Sequence, residues 1–171
     1  MRTIMLFVAL LLGFIGGGAA QGSAADDKNA LLAFKGGGDP DGDLASWSGT
    51  TEPCADPGWN SHTIGWSGVQ CDVVGGRVTR LYLNSKDGLL GTVDSLVPLT
   101  ALTYLSLQSC VSVSGDVSSL VPLTRLTGLH LSSTSVSGSV EPLAALTQLR
   151  SLRLYSTSVS GSVSLWQPSR S

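Results

Sequence analysis

Charged side chains are scarce in this chain: Asp, Glu, Lys and Arg make up 13% of its 171 residues, and they balance to a formal charge of −2. Such a surface lacks the positive field that nucleic acid demands of a partner. Histidine occurs only at His62 and His130, and neither stands at a metal-ligand spacing from cysteine or carboxylate. No G-x-S-x-G elbow accompanies the many serines, so a Ser-His-Asp hydrolase has no scaffold here. Asp39, Asp41 and Asp43 alternate in a Pro/Gly turn, but the glutamate that a calcium loop places at its twelfth position is Thr50. Asn29, Asn60 and Asn84 are followed at the second position by Leu, His and Lys, which excludes N-glycosylation. Neither an enzyme nor a metal or organic cofactor is expected.

Long apolar runs are also missing, with one partial exception at the amino terminus. Arg2 gives a positive start, Ile4 to Ile15 is apolar, and Gly16 to Ala20 is small. This layout predicts a secretory signal over residues 1–22, cleaved after Ala20 or Gly22. Removing Arg2 takes the net charge from −2 to −3. The run is too short to span a bilayer comfortably, and no other stretch reaches about 18 apolar residues, so no membrane span is expected. A secreted or extracellular location, at the cell surface or in the wall, follows. Three cysteines would then sit in an oxidising compartment. Cys54 and Cys71 flank a loop-rich, Trp-containing segment and form the natural disulfide pair, leaving Cys110.

What is present is repetition. VTRLYLNSKDGLLGTVDSLVPLTA, LTYLSLQSCVSVSGDVSSLVPLTR, LTGLHLSSTSVSGSVEPLAALTQ and the shorter LRSLRLYSTSVSGSVSLW follow one another, with starts 24, 24 and 23 residues apart. A fixed period of this length predicts a solenoid, because no single copy can bury its own apolar face. Each copy opens L-x-x-L-x-L: Val78, Leu81, Leu83; Leu102, Leu105, Leu107; Leu126, Leu129, Leu131; Leu149, Leu152, Leu154. Alternation within L-x-L puts two leucines on one face of a short strand. Stacked copies give a parallel sheet with leucines inward and its other face free on the concave side.

The free face carries three columns: Arg80, Tyr104, Gly128, Ser151; Tyr82, Ser106, His130, Arg153; and Asn84, Gln108, Ser132, Tyr155. Aromatic and arginine side chains dominate the energetics of protein recognition. Arg80, Tyr82, Tyr104, His130, Arg153 and Tyr155 are therefore the candidate contacts for a protein or peptide. Ordinary solvated strand residues would look the same one at a time; the set is what points to a partner.

Three residues past the second strand leucine stand Lys86, Cys110, Thr134 and Thr157. Cys110 reads as a small buried ladder residue, and Lys86 as a misfit at which the first copy would bend. Each copy then continues G-x-V-x-x-L-x-x-L, with Pro98 and Pro122 opposing a long helix, so the return path should be irregular or 3₁₀-like.

Before the repeats, Asp26 or Asp27 can cap a short helix that buries Ala30, Leu31 and Phe34 and ends at Gly36 to Gly38. Asp39-Pro40-Asp41-Gly42 is a turn by its own chemistry. A stacked array needs a lid over its first coil, and this helix with Trp47, Trp66 and the disulfide makes one over residues 26–76. A ligand cage built from the tryptophans is the alternative use of the same residues.

The run ALLAFK at Ala30 to Lys35, LASW at Leu44 to Trp47, Pro53-Cys54, and W-SGV-C at Trp66 to Cys71 resembles the amino-terminal cap of plant-type leucine-rich repeat proteins. That family includes receptor-like kinase ectodomains and secreted polygalacturonase inhibitors. Ser114 to Val117, Ser137 to Val140 and Ser160 to Val163 resemble the S-G-x-I segment of the same subclass. Its following proline is replaced by Asp94, Ser118, Glu141 and Ser164, its ladder asparagine is missing, and the Cys54–Trp66 loop is longer. The resemblance implies an α/β solenoid: a leucine-rich repeat right-handed coil with short parallel strands on its concave face and a disulfide-containing cap. It does not carry a family ligand onto this chain. The domains are then the signal, the cap, four repeats over 78–166 with the last incomplete, and a polar tail, 167–171. The expected role is a non-enzymatic recognition protein. Two alternatives stand beside it: the amino-terminal piece of a membrane receptor, and a wall or matrix protein binding polysaccharide through its Tyr and Ser faces.

Overall fold

The computed structural model describes residues 22–54, 65–74 and 76–162. The expected signal, most of the Cys54–Trp66 loop, Leu165-Trp166 and the polar tail lie outside the described residues.

The strand leucines do what their spacing demands. Strands β2 (Val78–Tyr82), β3 (Tyr104–Ser106), β5 (Gly128–His130) and β7 (Ser151–Arg153) form a parallel sheet in which Leu81, Leu105, Leu129 and Leu152 stand in line. Leu81, Leu105 and Leu129 are fully buried, in one continuous core that runs from the cap helix to Leu149. A cap strand, β1 (Val69–Cys71), closes the near edge of this sheet by pairing antiparallel to β2. The return paths contain 3₁₀ turns at Val93–Leu96, Val117–Leu120 and Glu141–Ala145, as the leucines three apart and the prolines predict.

Between strand and return path lies a second parallel sheet: β4 (Ser114–Asp116), β6 (Ser135–Ser139) and β8 (Ser158–Ser160). Its register differs from that of the first. By glycine spacing Gly115 corresponds to Gly138, yet Gly115 stands opposite Val136, and Gly138 opposite Val159. Each coil therefore slips two residues along this sheet relative to its neighbour. The slip brings Asp116 over Gly138, whose φ of +97° and close approach to that carboxylate both require the absence of a side chain.

At each turn out of the concave strands stands a serine in the left-handed region: Ser85, Ser109, Ser133 and Ser156, with φ between 55° and 59°. Their amides bind the next coil; Ser85 N donates to Gln108 O, Ser109 N to Ser132 O and Ser133 N to Tyr155 O. The first copy makes this turn like the others, so the expected bend at Lys86 is absent. Lys86 instead leaves the ladder and pairs with Asp43 of the cap, Nζ to Oδ1 2.9 Å. Cys110 is fully buried and its thiol donates to Leu83 O, while Thr134 and Thr157 donate to Leu131 O and Leu154 O of their own coils. Burial pushes the Cys110 thiol above its ordinary pKa, which keeps it protonated and unreactive.

In the cap, helix α1 spans Ala24–Gly36. Its N-cap is Ser23, not Asp26 or Asp27. The Ser23 hydroxyl accepts from Asp26 N and the Asp26 carboxylate accepts from Ser23 N, a reciprocal capping box. Asp27 has a different task. It is fully buried, receives both Nε and a terminal nitrogen of Arg77 at 2.8 and 2.9 Å, and accepts from Val78 N at 2.8 Å. One carboxylate thus locks the helix to the first repeat strand. Trp47 and Trp66 stack at 5.3 Å, both buried, their N–H groups donating to Ser67 O and Thr51 Oγ1. Satisfied and closed to solvent, this pair is core and not a ligand cage. Cys54 and Cys71 form the disulfide beside it, with Cα atoms 5.8 Å apart.

Candidate recognition surface

Because the concave ladder is in exact-repeat register, Arg80, Tyr104, Gly128 and Ser151 form one row and Tyr82, Ser106, His130 and Arg153 the next. The six candidate contacts do come to one face, but in two different states. Arg80 and Arg153 are exposed, and Tyr155 is the most open aromatic among the described residues at 64%. Tyr82 and Tyr104 are half-buried, and His130 is only 6% exposed.

The burial of His130 comes from the ring beside it. Gly128 leaves a gap in the first row, and the Tyr104 ring leans across it, close enough that any Cβ on Gly128 would strike the ring edge. From there the Tyr104 hydroxyl lies 2.8 Å from His130 Nδ1, and the rings meet edge-on with centroids 5.1 Å apart. On its other side Tyr104 packs against Tyr82, centroids 5.0 Å apart. His130 Nε2 continues the chain to Ser151 Oγ at 2.7 Å. Tyr82, Tyr104, His130 and Ser151 therefore form one connected spine across four strands. A neutral imidazole suits it, one nitrogen donating and the other accepting. Burial, and then the Arg153 charge, hold the His130 pKa below its ordinary value.

A second cluster joins the third column to the middle one, where Asn84 Oδ1 accepts from Ser106 Oγ at 2.7 Å and from Gln108 N at 3.0 Å. Further along, Ser132 Oγ is buried with no hydrogen-bond partner among the described residues. Sequence reasoning placed all of these residues in the right columns. It missed that Gly128 is what lets Tyr104 fold over, and that Ser151 ends the spine. A lone glycine in a strand pattern is the signal for a close approach. In its present arrangement the face offers a packed aromatic ridge with exposed cationic side chains on either side. Among the described residues no group of three or more His, Cys, Asp or Glu is placed to hold a metal ion.

Residues 24–72 match the family described as leucine rich repeat N-terminal domain. Over 85 residues, half of the chain, the sequence is 40% identical to a probable leucine-rich repeat receptor-like protein kinase of Arabidopsis thaliana and covers 11% of it. Over 114 residues, 62% of the chain, it is 37% identical to a brassinosteroid LRR receptor kinase of Oryza sativa subsp. japonica, covering 8%. Among solved structures, the LRR ectodomain of the Arabidopsis receptor kinase HAESA, in complex with an N-terminally extended IDA peptide hormone ligand, superposes with a TM-score of 0.61 at 26% identity; 80% of this chain and 22% of that one are covered. The fold is shared with a pollen receptor kinase 3, TM-score 0.58 at 21% identity over 77% of this chain and 72% of that one. The similarity to the kinases lies in their ectodomain, and no helix among the described residues is long and apolar enough to cross a membrane.

Proposed function

We propose that this chain, similar in sequence and fold to the leucine-rich repeat ectodomains of plant receptor kinases, is a secreted or cell-surface recognition module that holds a protein or peptide on its concave sheet. The observation that carries this reading is the packed spine of Tyr82, Tyr104 and His130 with Arg80, Arg153 and Tyr155 standing free around it. A ridge fixed before binding loses little side-chain freedom when a partner arrives, while the exposed arginines and Tyr155 supply adjustable contacts. The peptide hormone on the HAESA ectodomain supports a peptide as the partner class. Similarity to receptor kinases over a small fraction of their length also supports the narrower form, in which the chain acts as the ectodomain portion of a receptor. The serine rows of β6 and β8, with Ser135, Ser137, Ser158 and Ser160 exposed, support polysaccharide as a second class of partner on the other sheet.

Selection of a random peptide display library on the purified chain tests the concave reading. Enriched peptides should lose binding when Tyr155→Ala is combined with Arg153→Ala, both exposed positions whose loss spares the fold. Peptides that bind the double variant as well as the parent would overturn it. Enrichment of insoluble wall glucan binding, abolished only by changes in β6 and β8, would transfer the role to the serine sheet.

A further inference from the structure

The charges of the repeats are sorted by face. The three concave columns hold Arg80 and Arg153 and no acidic residue. The acids of the repeats, Asp87, Asp94, Asp116 and Glu141, all lie beyond the strands, in the turn, the second sheet or the return path. Neither Arg80 nor Arg153 enters an ion pair among the described residues, whereas Lys28, Arg77 and Lys86 are each paired. Arg150, also exposed, stands one position before β7. Two unpaired guanidinium groups without a local acid leave a positive field over a surface that is otherwise neutral and aromatic.

We infer that the partner on this face is an acidic peptide, laid in extended form across the strands from Arg80 to Arg153 over the Tyr104 ring. The inference rests on the concave reading above and adds the chemistry of the partner. Its spacing follows from sheet geometry. Arg80 on β2 and Arg153 on β7 are separated by three strand intervals and one side-chain repeat, roughly 14 Å across and about 7 Å along, hence about 16 Å corner to corner. An extended peptide rises about 3.3 Å per residue and alternates its side chains between two faces, so two carboxylates that both face the sheet belong about four positions apart, with the long arginine side chains closing the remaining few ångströms. The residues between them pass over the Tyr104 ring where it covers His130, which favours an apolar or aromatic side chain at the centre. Guanidinium groups take carboxylates through two parallel hydrogen bonds, which fixes the register of the peptide as well as its sign.

Fluorescence anisotropy with dye-labelled synthetic peptides on the full chain tests this directly. The probes are a short peptide with two glutamates four positions apart around a central leucine, the same peptide with lysines, and one with the two glutamates adjacent. The spaced glutamate probe should bind, weaken about tenfold in the Arg80→Gln, Arg153→Gln double variant, and weaken again as salt is raised past about 0.15 M. Equal binding of the lysine probe, equal binding to the double variant, or no binding of the spaced probe at millimolar concentration would each overturn the inference. Better binding of the adjacent-glutamate probe would overturn the spacing and with it the crossing path. Tyr155→Ala separates the two levels. If peptides from the display selection need Tyr155 but ignore both arginines, the concave reading stands and the acidic partner falls; if they need neither, both fall.

Discussion

The two ends of this stack bury the same repeat leucines to very different degrees. At the near end the first coil lies under helix α1, the Trp47–Trp66 pair, strand β1 and the Asp27–Arg77 lock, and Leu81 and Leu83 are closed to solvent. Among the described residues β7 and β8 are the last strands of the two sheets, and Leu152, Leu154 and Val159 are only partly buried. Since each coil touches only its neighbours, stability in such an array is a sum of local interfaces. The difference teaches that the cap is the anchor from which order propagates, and that one leucine position carries different weight in different coils.

The largest test of this contrast is Asp27→Ala. It leaves Arg77 charged in a half-closed site and Val78 N without its acceptor, and should cost about 3–5 kcal/mol in urea or thermal unfolding. A loss under about 1 kcal/mol would show that the cap does not anchor the stack. Next comes a matched pair in the sheet. Leu105→Ala, in the fully buried middle, should cost about 3 kcal/mol, and Leu152→Ala, at the same repeat position in the last coil, about 1 kcal/mol. Equal costs would erase the gradient. Hydrogen exchange should rank the coils in the same order, with β7 amides exchanging first.

Within the recognition face, Gly128→Ala forces the Tyr104 ring off its seat and should cost about 1–2 kcal/mol while opening the path to His130, read as loss of the Tyr104–His130 contact by NMR. Protonation is a gentler probe of the same place. The groups facing His130 are Tyr104, Ser151 and Arg153, and its folded pKa is depressed by burial and by the arginine. The unfolded chain therefore takes up the proton first. His130 favours the fold fully above the ordinary imidazole value of about 6.5, and that contribution is lost as pH falls from there through the lowered folded value. His130→Gln should flatten the pH dependence of melting over that window. The smallest effect belongs to Ser133→Gly. Relief of a left-handed φ of 58° offsets the added freedom of the unfolded chain, leaving a gain of about 0.5 kcal/mol.

The concave columns were legible because L-x-L alternation is a local signal that survives stacking. Arg80 to Ser151 and Tyr82 to Arg153 stand in the rows that counting every two dozen residues predicts. The second sheet was not legible. V-S-V-S-G and S-V-S-G look like polar turn sequence, and they become strands only because another coil lies alongside at a two-residue offset that no single copy encodes. The left-handed serines were overlooked for a related reason, since serine has no strong preference for that conformation and only its fourfold recurrence marks it. At the amino terminus the acids Asp26 and Asp27 drew attention away from Ser23, the true cap. The capping pattern was there in Ser23 and Asp26, three residues apart, but the usual partner at the second position is glutamate. The state of His130 was out of reach for sequence alone, because it depends on a ring tipping over a gap one strand away.

The third repeat is one residue shorter than those before it, and the missing residue falls between Thr134 and Gly138, after the concave strand has ended. The rows across β3, β5 and β7 are undisturbed by it, while the serine sheet takes up the change. Insertions and deletions in the back half of a coil are thereby decoupled from the lattice of contact residues. Such a scaffold can be lengthened, shortened or respaced behind its working face during evolution or design, and the face keeps its pitch.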